Sequence, residues 1–283
     1  FGRGRQLGFA RFELNHQIPP EVLESIDLNR FHIGSLHDPC PAVILNKQLE
    51  REDRVITSLD EGRRLFAVDG VKYTIDTAYR LGARSVVIHT GRIAGDHSMD
   101  DDLRDMYRRG LKGTPDYFDQ VNRLQADRIE RGKPHLEVLL KSLETIVQHA
   151  EGSGLTLGFE NRFHHYELPN FEEMDVMMRL FTQPWVGWQL DVGHLQVEGE
   201  LGLMDMQAWL DRFGARIMGV HLHDVIGIVD HRAPGSGQVD FERIAAVLPP
   251  YAQRTLEIDK SVTFDEFRSG LEYLCEKNCI KQI

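Results

Sequence analysis

Cysteine is scarce in this sequence. Cys40, Cys275 and Cys279 are the only three in 283 residues, an odd number too sparse for a disulfide scaffold and suited to a reducing cytoplasm. Cys275 and Cys279 have a metal-like spacing of four on an expected helix. No further cysteine completes a site, so the pair reads as core-facing. Long apolar runs are missing too. The longest, Ile244 to Leu248, falls far short of the roughly 20 residues that a membrane span needs. The opening Phe1-Gly-Arg-Gly-Arg5 has no apolar stretch of the secretory kind. Positive charge is in deficit, with 33 Lys and Arg against 44 Asp and Glu and a net charge of −11. That balance makes nucleic acid and anionic membrane surfaces poor partners. A Gly-rich phosphate fingerprint is also absent after the first expected strand, where Leu7 runs into Phe12-Glu-Leu-Asn15, which counts against an open doubly wound sheet.

What is present is enough apolar residue, 41%, to bury a sizeable core. The length allows two domains of about 150 residues or one α/β barrel of about 250. Short β-rich runs alternate with longer helical patterns, the signature of parallel strands joined by crossover helices. The expected strands are Leu7 to Phe12, Phe31 to His37, Ser85 to His89, Leu155 to Glu160, Val186 to Asp191, Arg216 to His221, Arg254 to Ile258 and Asn278 to Ile283. Pro134 is expected to open a helix whose apolar stripe runs from Leu136 to Ala150 and ends at Gly152 and Gly154. Asn170 with Glu173, and Thr263 with Glu266, match side-chain caps followed by an acid three residues later. Eight strands without a linker between them predict a single (β/α)8 TIM barrel spanning 1–283. One polar insertion, Arg92 to Lys133, interrupts the rhythm. It carries nine basic and nine acidic residues, so it is not a polyanion-binding arm, and a connection of this length at a barrel mouth reads as a lid or specificity loop.

The polar residues fall in a pattern. Six successive expected strands end on a potential metal ligand: His37, His89, Glu160, Asp191, His221 and Glu257. Each alone is most simply a solvated or hydrogen-bonded side chain. Together, at the end of the barrel where such enzymes carry out their chemistry, the carboxylates would repel one another unless a cation neutralised them. His194 follows Asp191 closely, with Gly193 permitting a sharp departure from the strand, and His231 lies in the turn-rich loop Asp230 to Gly237. Alternation points His223 the same way as His221, while Asp224 is placed to hold a ligand histidine from behind. Arg162 and Arg232 are candidate holders of a substrate oxygen or phosphate, and His223 is a third candidate for substrate binding. His16, His32, His97, His135 and His149 lack such positions and are assigned no role.

The ordered set Gly-Ser-Leu-His37, Val-Val-Ile-His89-Thr-Gly, Gly-Phe-Glu160-Asn-Arg, Gln-Leu-Asp191-Val-Gly-His194, Val-His221-Leu-His-Asp224, Asp230-His231 and Leu-Glu257-Ile resembles the xylose-isomerase-like TIM barrel superfamily. That superfamily includes sugar isomerases and epimerases and an apurinic endonuclease branch. The resemblance implies that Glu160, Asp191, His221 and Glu257 hold one divalent metal, with Glu160 and Glu257 moving a proton through an enediolate of a small sugar or sugar phosphate. In the endonuclease branch, histidines matching His37 and His89 add a second metal site with Glu160, and a third resembles His194 with an Asp-x-His loop. Here the position two before His231 is Val229 and the acid is Asp230, a departure from that loop. One to three ions of Zn, Mn or Fe are therefore implied. The leading expectation is a metal-dependent isomerase or epimerase, and the alternative is a multi-metal phosphoester hydrolase. A metabolite-binding barrel with a structural metal ranks lowest, because the mouth offers more ligands than one closed site needs. The expected partner is a small-molecule substrate, with no nucleic acid and no membrane, and the sequence leaves a homo-oligomer open.

Overall fold

The computed structural model describes residues 1–281. Among the described residues nine strands are formed: β1 Phe12–Leu14, β2 Ile33–His37, β3 Ser85–Ile88, β4 Thr156–Glu160, β5 Val186–Asp191, β6 Ile217–Leu222, β7 Asp224–Ile226, β8 Val229–Arg232 and β9 Gln253–Leu256. The seven strands β1 to β6 and β9 pair in that order, all parallel. With helices packed around them they make a nearly closed α/β TIM barrel. β7 and β8 form a separate antiparallel ribbon at the mouth. Strands β2, β3, β5 and β6 are buried along their whole length, as expected of parallel strands covered on both faces. No helix among the described residues is long and apolar enough to cross a membrane.

Three expectations change. The first strand forms at Phe12–Leu14 and not over the expected Leu7 to Phe12: residues 7–11, which follow a short helix at Gly2–Gln6, take neither helix nor strand. The eighth expected strand, Asn278 to Ile283, is not formed over 278–281, and its last two residues lie outside the described ones. β1 and β9 are consequently the two edges of the sheet. The Thr255 hydroxyl of β9 donates to Glu13 of β1 at 3.4 Å across the seam, and Gln253 Nε2 of β9 reaches past it to Ser35 Oγ of β2 at 2.5 Å.

The third change concerns the insertion. Residues 92–133 are mostly helical, with one helix at Ser98–Arg108 and a second, Pro115–Ala150, that absorbs the helix expected to begin at Pro134. Thr114 caps it by accepting from Tyr117 N, with Pro115 in the first turn. Pro134 is tolerated mid-helix on the exposed side, where water can reach the carbonyl it leaves unpaired. The insertion is clamped rather than loose. Arg104 bonds Asp100 at 2.9 Å and Glu198 at 3.1 Å, both acids buried, and Arg128 makes a two-pronged pair with Glu173 at 2.6 and 2.9 Å. The loop after β4 is drawn in: His164 and His165 contact Asp100 and Glu198, and Arg128 also holds the carbonyls of His165 and Glu167. Both expected caps, Asn170/Glu173 and Thr263/Glu266, form complete capping boxes.

Candidate metal centre

Each candidate side chain reaches the mouth because its strand stops there. Glu160 is the last residue of β4, Asp191 the last of β5 and His37 the last of β2, while His89 and Glu257 directly follow β3 and β9. Asp191 also opens helix Val192–Glu200, accepting from His194 N at 2.7 Å. Asn161 fixes the relation between β4 and β5. Its amide oxygen accepts from Trp188 Nε1 and Asp191 N, both at 2.9 Å, and its amide nitrogen donates to the Asp191 carbonyl.

Three groups of side chains converge. His37, His89 and Glu160 form one; Glu160, Asp191, His221 and Glu257 a second; Asp191, His194 and His231 a third; within each, one ligand atom per residue lies within 4.8 Å of the others. Glu160 and Asp191 are shared between groups, so the three sites abut. The second group is the most enclosed. His221 Nδ1 faces Glu257 at 2.8 Å, Glu160 at 3.0 Å and Asp191 at 3.4 Å. Neither that nitrogen nor Glu160 Oε1 has a hydrogen-bond partner, although both are buried. Buried polar atoms are normally satisfied. Two orphaned ligand atoms among three carboxylates fit a divalent cation, to which all four side chains would turn their lone pairs.

The electrostatics follow from this crowding. Burial alone would raise the pKa of Glu160, but Arg162 and His37 hold it well below the usual carboxylate range. Glu257 is likewise kept well below by His221 and His231 against the pull of burial. Burial would lower His221, yet Glu257 and Glu13 push it well above the imidazole value. His231 is raised to about 11, its hydrogen bonds to Asp230 and Glu257 outweighing burial. His89 moves the other way, down to about 3, through burial, Arg162 and His37.

The candidate substrate-holding residues are placed less uniformly. Arg162 is buried and occupied within the protein, bonded to Glu160 and to Glu167 at 2.9 Å. Arg232 reaches Ser261 at 3.3 Å, beyond β9. His223 differs from expectation. It is fully buried, with Nε2 on both Asp191 oxygens at 2.9 and 3.1 Å and Nδ1 accepting from His231 N at 2.9 Å. Neither ring nitrogen is left for a substrate, so His223 orients Asp191. Gly193 serves this packing and not a left-handed turn, since a Cβ there would fall 2.1 Å from His223 Cε1. Asp224 holds no histidine. Its carboxylate accepts from the backbone nitrogens of Val225, Gly235, Gly237 and Val239 at 2.8 to 3.0 Å, folding the loop behind β8.

Three mouth residues have no role in the sequence reading. Glu13 on β1 accepts from His221 Nε2 at 2.9 Å. Asp230, one position later than the loop acid of the endonuclease pattern, still reaches His231 at 3.1 Å and His194 at 3.7 Å. His16 lies against the rings of His37 and His89, at 5.9 and 6.2 Å between centroids, with its pKa lowered to about 4 by burial and by His37. Placing the first strand a few residues later would have pointed Glu13 into the barrel by alternation.

A family model described as xylose isomerase-like TIM barrel matches residues 48–254, well over half of the chain. No curated protein matches the sequence. Among solved structures, a D-tagatose 3-epimerase-like protein is 19% identical, with a TM-score of 0.62, covering 98% of this chain and 91% of its own. D-psicose 3-epimerase from Clostridium cellulolyticum H10, solved with D-tagatose, is 14% identical with a TM-score of 0.64 and coverages of 98% and 92%. An IolI protein with a binding zinc atom is 14% identical with a TM-score of 0.63, covering 100% of this chain and 95% of its own. At these identities the likeness is one of fold.

Proposed function

Because the chain belongs to the xylose isomerase-like TIM barrel family, we propose that it is a divalent-metal-dependent isomerase or epimerase acting on a small sugar or sugar phosphate. The observation that carries this reading is the convergence of Glu160, Asp191, His221 and Glu257 on a point where His221 Nδ1 and Glu160 Oε1 have no partner. A divalent ion held by these four residues would supply a Lewis acid for adjacent substrate oxygens. The rest is done by the chain. Glu160 and Glu257 are both held ionised, so either can take the proton from a carbon next to a carbonyl and, once protonated, return it to the neighbouring carbon; return to the opposite face requires that the other glutamate first take up a proton from water. The reaction is redox-neutral and needs no second cofactor. Asp191 is fixed by His223 and His194 N and acts as an orienting ligand. Sugar-epimerizing neighbours of the same fold support the substrate class.

The test is solvent exchange. Zinc- or manganese-loaded protein incubated with ketoses in deuterium oxide should incorporate deuterium at carbon, and Glu160→Gln and Glu257→Gln should each abolish it. A parent protein that takes up metal and incorporates none across ketopentoses, ketohexoses and their phosphates would refute the reading. A second reading, a multi-metal phosphoester hydrolase, is favoured by the His37–His89–Glu160 and Asp191–His194–His231 groups, which an epimerase does not require. Clustered ions would activate water and brace the leaving oxygen. Ion count separates the two: one per chain supports the first, and two or three with phosphodiester cleavage support the second.

A further inference from the structure

We propose that Glu13 is the positioning residue that makes His221 a metal ligand, by fixing which of its ring nitrogens carries the hydrogen. This rests on the metal-dependent reading above. The two nitrogens of His221 face different surroundings. Nδ1 points into the three carboxylates, whereas Nε2 lies 2.9 Å from Glu13 Oε1. The other oxygen of Glu13 accepts from the Ser35 hydroxyl at 2.5 Å and the Thr255 hydroxyl at 3.4 Å. With both its oxygens taken as acceptors, the Glu13 carboxylate can only receive a hydrogen from Nε2, and the Nδ1 lone pair is then the one presented to a cation.

Position in the fold strengthens the case. Glu13 belongs to the edge strand β1, and its contacts run to β2 (Ser35), β6 (His221) and β9 (Thr255). It therefore sets the rotation of the His221 ring from across the seam, where among the described residues no strand lies between β1 and β9. His37 and His194 are held differently, with Nδ1 turned to the backbone carbonyls of Asp38 at 3.3 Å and Asn161 at 3.1 Å. Those carbonyls cannot be altered by substitution, whereas Glu13 can.

Zinc affinity is measured by chelator competition on the parent, Glu13→Ala and Glu13→Gln, with circular dichroism and apo-protein melting to show that each is folded. Loss of a carboxylate behind a metal-bound histidine typically weakens binding roughly 10- to 100-fold. That loss is expected for Glu13→Ala, with partial recovery in Glu13→Gln, whose amide oxygen can still accept from Nε2. Cobalt-loaded Glu13→Ala should also show altered d–d absorption. A folded Glu13→Ala with zinc affinity within twofold of the parent would overturn the proposal. Ring nitrogen shifts of His221 in the unsubstituted zinc-loaded protein give a second reading independent of variant folding: hydrogen on Nε2 supports the proposal and hydrogen on Nδ1 overturns it. A parent that binds no metal defeats the metal-dependent reading itself, a separate result.

Discussion

Replacing Gly193 with alanine attacks the metal centre without touching a ligand. Gly193 lies in the first turn of helix Val192–Glu200 and provides room. An alanine Cβ would fall 2.1 Å from Cε1 and 2.4 Å from Nδ1 of His223. His223 cannot easily move, because it is fully buried, stacked on His231 at 4.3 Å and bonded to Asp191. Overpacking a fixed site costs about 1–3 kcal/mol, and drawing Nε2 off a carboxylate forfeits about 1.5–3 kcal/mol more. Together these amount to about 2.5–6 kcal/mol, or a Tm lower by about 5–24 °C for a chain of this size. Zinc affinity should fall as well, since Asp191 loses the ring that orients it. Gly199→Ala is the control on the same helix. Its Cβ meets nothing nearer than the Met204 carbonyl at 3.5 Å, so helix propensity should make it neutral or stabilising by roughly 0.5–1 kcal/mol. Thermal unfolding of the metal-free proteins, followed by zinc titration, decides the matter. If Gly193→Ala melts within about 2 °C of the parent and binds zinc equally, the packing argument is wrong.

Two further outcomes concern the clamp on the insertion. Arg128→Met leaves Glu173 buried without its guanidinium and should cost about 3–5 kcal/mol in chemical denaturation, while Arg128→Met with Glu173→Gln should recover much of it; a double variant no more stable than the single would contradict the charge-pair account. Asp100 and Glu167 are each held at about 2 despite burial, the first by His164 and Arg104 and the second by Arg162 and His164. Depressed carboxyl values contribute stability that is present above the ordinary values of 3.8 and 4.5 and is lost as pH falls through the folded ones. Limited proteolysis within 92–133 should therefore accelerate between about pH 4.5 and pH 2, and a cleavage rate flat over that window would argue against the clamp.

How much could be read in advance differs from element to element. β5 forms over the expected residues, Val186–Asp191, and β2, β3, β4, β6 and β9 lie within two residues of expectation at each end. β2, β3, β5 and β6 are buried along their whole length, so each shows as an apolar run with a polar residue at or near its end, whereas the half-buried β9, Gln-Arg-Thr-Leu, is marked mainly by the Glu257 that follows it. β1 has three residues and a Glu in the middle, which is too little pattern to place. The insertion misled for a different reason. Its charges look like a solvated surface, but Asp100, Arg104 and Arg128 are buried because each meets a partner from elsewhere in the chain. Asp230 departs by one residue from the loop acid of a related branch, yet its carboxylate lies 3.1 Å from His231 and 3.7 Å from His194, a placement that depends on the path of the ribbon and not on spacing.

What the sequence alone determined is the set of local facts: where apolar runs begin and stop, which of them end on an imidazole or carboxylate, and where helices are capped. Those depend on neighbours a few residues apart. Only the tertiary structure decided which groups share a point in space, that His223 lies behind Asp191, and that the ring of His221 is held by Glu13, 208 residues away. Hydrogen bonds and metal ligation act over about 3 Å, and at that range the chain's path, and not its order, sets which atoms meet.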